Sequence, residues 1–189
     1  MATVKKGLTP YRMKSGAPFT GGRTRFLIKN GTAAAIGAGD PVKVSNGFIE
    51  VVASGAADRT GVFAGCRYVD ANGQVQESSI FPAGVSSAGE LEGETHALGY
   101  VYNDPDMTYV AEADGAIAAT LVGGLFRVSV GTPDTVTKRS TVRVHASAQA
   151  SVGAAMVRVL GFPNIAGTRP GDANTIVEVE LINPALIQG

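Results

Sequence analysis

THALGYVYNDPDMTYV, residues 95–110, decides the class of fold. Tyr100, Val101 and Tyr102 lead into Asn103-Asp104-Pro105-Asp106, and Met107, Thr108, Tyr109 and Val110 lead out. β-Branched and aromatic residues on both sides of an Asn/Asp/Pro cluster predict two antiparallel strands joined by a tight turn, a central hairpin. Three of the five tyrosines lie here and the chain has no tryptophan, so much of its aromatic packing surface is gathered in one place. The stretch also sits inside a run without lysine or arginine from Tyr68 to Phe126.

Outward from this centre the same signals recur. Towards the N-terminus, RFLIK (25–29), PVKV (41–44), FIEVV (48–52) and TGVFAGCRYV (60–69) are apolar or alternating runs, the last with a bulge expected at Gly65. Asn30-Gly31, Ser45-Asn46-Gly47 and Asp70-Ala71-Asn72-Gly73 are turn signals between them. Towards the C-terminus, LFRVSV (125–130), residues 141–146, AAMVRVLGF (154–162) and TIVEVELI (175–182) follow, the last with Glu178 and Glu180 on one face. DGAIAATL (114–121) is the one segment expected to make a helical turn or two. The expectation is an all-β fold, a sandwich or barrel of roughly ten short antiparallel strands with an extended N-terminal arm. Residues 1–24 form the arm and 25–189 a single β-rich domain. A chain of 189 residues with 25 glycines suits that architecture.

Charge divides the chain. Residues 1–39 carry Lys5, Lys6, Arg12, Lys14, Arg23, Arg25 and Lys29 and no acid; Asp40 is the first carboxylate, and the formal net charge of zero hides a basic leader on an acidic body. The leader shows no sustained period of two or 3.6 and is punctuated by Gly7, Pro10, Gly16, Pro18, Gly21 and Gly22. It also carries Leu8, Tyr11, Met13 and Phe19, apolar anchors that a solvated tail does not need. Extended, it reaches about 80 Å. Its charges are too dispersed, and the body too acidic, for phosphate binding. The expectation is an arm that grips an acidic protein surface, the body of a neighbouring copy among the candidates, through Lys5, Lys6, Tyr11, Arg12, Met13, Lys14, Phe19, Arg23 and Arg25, and whose removal (residues 2–24) leaves the body folded.

Catalytic patterns are sparse. His96 and His145 have no partner at a recognisable spacing, GVSSAG (84–89) is not a nucleophile elbow, and no phosphate loop, dinucleotide fingerprint or zinc spacing occurs. The chain is expected not to be an enzyme and to hold no cofactor. Cys66 is expected as a small buried strand residue. Asp104 and Asp106, with Asp114 or Glu112, offer hard oxygen ligands to a cation, but their spacing favours a solvated turn whose aspartates cap amides. No run of 18 apolar residues occurs and the basic start lacks the apolar segment of a secretory signal, so no membrane partner is expected.

The order of these pieces resembles the capsid cement or decoration proteins of tailed bacteriophages. It runs from a Gly/Pro-rich basic leader ending in PFTGG (18–22), through GDPVKV (39–44) and GVFAG (61–65) with Tyr68 after it, to YNDPD (102–106), YVAEAD (109–114), VRVLGF (157–162) and a last strand ending in Ile182-Asn183. The resemblance spans nearly the whole chain. It implies a non-enzymatic virion protein, made in the cytoplasm of a bacterial host. Such a protein binds the exterior of an icosahedral shell as a dimer or trimer and clamps neighbouring major capsid subunits, without direct contact to nucleic acid. It carries over no catalytic residue and assigns no contact residue. The alternative is a glycan-binding or adsorption module of a virion, with Tyr100, Tyr102 and Tyr109 exposed and stacking on sugar rings.

Overall fold

A computed structural model describes residues 7–56, 58–151, 154–165 and 168–182. The fold is all-β, and its strands assemble into two barrel-like halves. The strands are β1 (Thr9–Met13), β2 (Thr24–Ile28), β3 (Ile36–Gly37), β4 (Pro41–Ser45), β5 (Phe48–Val51), β6 (Gly61–Val69) and β7 (Val75–Ser78). They continue with β8 (Ile80–Phe81), β9 (Ala97–Tyr102), β10 (Met107–Glu112), β11 (Leu125–Ser129), β12 (Arg143–Gln149), β13 (Val157–Gly161) and β14 (Ile176–Leu181). Fourteen strands among the described residues exceed the ten expected, because pairs as short as β3 and β8 leave no alternation to read.

The first half closes by backbone alone. Its sheet runs β4-β5-β2-β9-β6-β7, and β4 also pairs with β6 through Pro41↔Val62 and Val42↔Gly61, so five strands form a ring with β7 appended. One pair, β2 with β5, is parallel, against the all-antiparallel expectation. β6 serves both neighbours because it is long: its first residues meet β4 and its last, Cys66 to Val69, meet β7. The expected bulge is there, between Phe63 and Gly65 opposite β9, with Gly65 at φ +150°. Ile28, Val42, Ile49, Phe63, Cys66 and Val101 fill the interior, with Ile36 and Phe81 supplied by the β3–β8 pair. A five-stranded ring leaves room for few side chains. Gly99 is glycine for this reason: a Cβ there would stand 2.5 Å from Ile49 Cδ1. Cys66 is buried as expected, and burial pushes its thiol up to about 12.

The second half curls almost to closure. Its sheet runs β1-β10-β14-β13-β11-β12, and Ala113, just beyond β10, makes a parallel bridge back to Val144 in β12. Two side-chain contacts complete the seam: Arg143 donates to Glu112, and Asp114 Oδ1 accepts the amide of Ala146 (2.8 Å). Met107, Tyr109, Ala111, Phe126, Val128, Val157, Val159, Val177 and Val179 form its core, which Leu8 from the leader and Val52 and Val62 from the first half complete.

One expectation fails on topology. Residues 100–110 are not a hairpin: β9 lies between β2 and β6, and β10 between β1 and β14. Both edges of each strand are taken by distant strands, so Asn103–Asp106 carries the chain from one half to the other. The turn chemistry itself is as expected: Asp104 Oδ1 accepts the amide of Asp106 (2.8 Å). The alanine-rich segment 114–121 makes one helical turn, the 3₁₀ turn Ala119–Leu121, within the turn or two expected. The rest of its backbone is drawn outward, with Asp114 N–H to Val144 O, Ile117 N–H to Thr175 Oγ1 and Ile117 O accepting from Gly171, and these bonds outcompete a helical ladder.

The halves meet at Gly37–Asp40. Gly39 N–H bonds Phe63 O, Phe63 N–H bonds Asp40 O, Leu8 N–H bonds Gly39 O and Ser140 N–H bonds Ala38 O, all at 2.8–3.0 Å. Gly7 approaches Ser140 so closely that a Cβ would fall 2.4 Å from Ser140 Cβ, and its φ is +63°. Asp40 is fully buried in this joint, accepts the amide of Gly37 at 2.7 Å, and is raised to about 6 by desolvation, against hydrogen bonds from Ser140 and Gly37.

Candidate functional site: the leader strand and its acidic face

The leader residues singled out in the sequence come together, with the chain's own body. β1 is the edge strand beside β10, in the register Thr9↔Val110, Pro10↔Tyr109, Arg12↔Thr108 and Met13↔Met107. Pro10, which lacks an amide donor, fits an edge. The register slips between Pro10 and Arg12, and the extra residue, Tyr11, is 41% exposed. Leu8 is buried in the core and Met13 packs against it. Residues 7–14 are therefore part of the body, which corrects the reading of 1–24 as an arm lying outside it.

Its charges are paired within the chain. Arg12 donates from Nε to Glu178 Oε1 and from Nη2 to Glu178 Oε2, both at 2.8 Å. That fork raises the guanidinium above its ordinary range. Lys14 Nζ lies 2.6 Å from Glu180 Oε2, and Arg158 Nη1 reaches Glu180 Oε1 at 2.8 Å. Glu112, Glu178 and Glu180 are all buried, an uncommon state for glutamate, and each has a base over it. The reason is strand geometry: Glu178 and Glu180 alternate with Val177 and Val179, so these acids face away from the core, where β1 with Lys14 after it and β13 bring bases across to them, as β12 brings Arg143 to Glu112. The basic leader and acidic body are two sides of one intramolecular interface. Removing residues 2–24 would strip Leu8 from the core and leave two buried glutamates short of partners, so the expectation that the remainder stays folded is withdrawn.

The other expected contacts divide. Phe19 stacks edge-on against Tyr102 with ring centroids 5.2 Å apart. Arg23 lies over the Tyr100 ring at 5.5 Å, and Arg25 Nη1 meets Glu92 Oε2 at 2.6 Å. Lys5 and Lys6 lie outside the described residues. Tyr11, the Ser15–Pro18 turn, Thr20–Gly22 and Arg23 form an exposed ridge. The sequence places Glu178 and Glu180 on one face but does not mark them as the leader's partners, nor Arg158 as a partner of Glu180, nor Arg143 as the partner of Glu112. The available signal was a VEVE strand beside a VRV strand, acids and a base at matching alternate positions.

The tyrosines do not make a stacking platform. Tyr109 is 1% exposed and donates its hydroxyl to Tyr102 O at 3.2 Å. Tyr102 is covered in part by Phe19, and Tyr100 by Arg23. His145 has Asp114 Oδ2 at 3.5 Å and Ser147 Oγ at 3.3 Å, but both approach Nδ1. A nucleophile relay needs the two on opposite ring nitrogens. His96 packs against Phe48, and its Nδ1 accepts the amide of Asn30. A cleft of about 270 Å³ lies where the chain crosses between halves, lined by Lys14, Asn103, Asp104, Arg158 and Glu180, with the Lys14–Glu180–Arg158 cluster on its wall. Among the described residues no three histidine, cysteine or carboxylate side chains gather to hold a metal, and no helix is long and apolar enough to cross a membrane. No protein-family model matches the chain, and no curated protein is significantly similar to it.

Proposed function

We propose that the chain is a capsid cement protein that binds the outside of a phage icosahedral shell and clamps neighbouring major capsid subunits. The observation that carries this reading is where the motifs of the resemblance fall. PFTGG forms the exposed linker after β1, and GDPVKV begins at the joint of the two halves. GVFAG holds the β6 bulge, YNDPD is the crossing between halves, and VRVLGF contains β13. Four of these five segments hold a linker, a joint, a bulge or a crossing of this fold, which supports the reading.

The contact face is narrower than the sequence implies. Arg12, Lys14 and Arg25 have carboxylate partners of their own, so among the described residues the face is the ridge of Tyr11, the linker and Arg23. Aromatic and arginine side chains of this kind dominate interface energies, and many copies on one shell add avidity. The glycan-binding alternative is disfavoured by the burial of Tyr109. The test is sedimentation of the purified protein with expanded, DNA-free shells of the major capsid protein of the same phage. Saturable binding and a higher shell disruption temperature are expected. Combined Tyr11→Ala and Arg23→Ala should leave the fold intact and lower occupancy at least tenfold. Absence of wild-type binding overturns the reading; undiminished binding by the variant overturns the assigned face.

A further inference from the structure

We propose that β1 is an exchangeable strand, which docks on β10 of its own chain in the monomer and on β10 of a second copy in a reciprocal dimer. The proposal concerns only the protein and its copies and stands apart from the capsid reading.

The first support is covalent order. β1 belongs to the sheet of the second half, yet the chain leaves it through residues 14–23 and enters the first half at β2. Apart from the turn that follows it, the contacts of β1 and of its flanking residues Leu8 and Lys14 are with residues far along the chain: Val110 to Met107 in the ladder, Glu178 and Glu180 in ion pairs, and Gly39 at the joint. None depends on the direct connection, so a second copy can make the identical set.

The second support is the linker. Gly16 and Gly21 have φ of +83° and +86°, and at Gly16, Gly21 and Gly22 nothing lies within 4 Å of where a Cβ would stand. The chain doubles back there through the antiparallel bridge of Arg12 with Pro18, Met13 N–H to Ala17 O (3.1 Å), Gly16 N–H to Met13 O (2.9 Å) and the contact of Phe19 with Tyr102. Opening the linker gives up these few contacts while every other bond of β1 is remade on the partner. Nine residues, 15–23, then span up to about 30 Å.

Charge selects the occupant. An open chain presents Glu178 and Glu180 with their leader partners removed, and the complementary strand is the one bearing Arg12 and Lys14. Pro10 and the Tyr11 bulge on the outer edge of β1 disfavour growth by adding a further strand, which leaves exchange as the route to association.

The experiment uses two full-length charge-reversal variants, R12E and E178R. Each alone opposes like charges across β1 and the acidic face and should melt below wild type, or fail to fold, whereas the R12E/E178R double variant should fold as a single chain. Refolded together, the two single variants satisfy both interfaces only by exchanging strands. The expected result is a complex of twice the 19.3 kDa chain mass by light scattering, with a melting temperature near that of the double variant. Removing Gly21 and Gly22 should raise the dimer fraction of otherwise wild-type protein by shortening the reach to its own β10. A co-refolded mixture that stays at chain mass with the separate variants' melting temperatures overturns the proposal, as does a mixture that does not fold while the double variant does. Rescue of R12E by empty shells but not by E178R would assign the edge to the shell and overturn it too.

Discussion

The two halves solve the same problem, an open sheet with raw edges, by different means. The first half closes by a backbone ladder between β4 and β6 over an interior of Ile28, Ile49, Phe63 and Val101. The second has a single backbone bridge across its seam, Ala113 with Val144, and side chains reinforce it, Arg143 with Glu112 and Asp114 with the Ala146 amide, while on its outer face Arg12, Lys14 and Arg158 lie over Glu178 and Glu180. Backbone closure over an apolar interior responds to volume. Closure by ion pairs responds to whatever removes a partner. The leader is the clearest case, since it is the first strand in sequence and completes the half built last.

Predictions that break this comparison begin with the leader. Deleting residues 2–14 should abolish amide-exchange protection in β10 and β14 while β2, β6 and β9 keep theirs; uniform loss in both halves would show that they unfold as one unit. Next, Phe63→Ala should cost about 3–5 kcal/mol in urea denaturation, the usual result of emptying a buried aromatic site, with the effect starting in the first half. The third concerns the joint. Asp40 is raised in the folded protein to about 6 from an ordinary 3.8, so the native state holds its proton more tightly than the unfolded chain. Its contribution is complete below about pH 4 and is lost as pH rises through about 6, on the order of 3 kcal/mol in all. Asp40→Asn should flatten that part of the pH–stability curve while keeping an acceptor for the Gly37 amide. An unchanged curve would remove Asp40 as its source. The smallest effect belongs to Val136, 89% exposed on a turn capped by Asp134 Oδ1; Val136→Ser should change stability by less than about 0.5 kcal/mol.

Strands were legible wherever a run was long enough for its alternation to count, as in Thr175–Ile182 and Thr60–Val69, and the Gly65 bulge was legible because a glycine interrupts an otherwise apolar strand. The leader was half legible. Its bases and apolar anchors were visible and so was an acidic surface to receive them, but the pull between Arg12 and Glu178 carries no record of whether 166 residues of one chain or a gap between two chains separates them. DGAIAATL shows the limit of propensity: alanine favours a helix, and Val144, Gly171 and Thr175 bond its backbone elsewhere.

What the chain fixed by itself was local: which residues extend, which face of each strand is apolar, where the backbone must turn, and that Cys66 belongs inside. Tertiary structure decided the partners. Asn103–Asp106 turns the chain as its residues require, yet it joins two sheets instead of two neighbours, because β2 and β6 already flank β9 while β1 and β14 flank β10. Alternation with period two encodes a face and never a neighbour, and neighbours are settled only when all the edges compete at once.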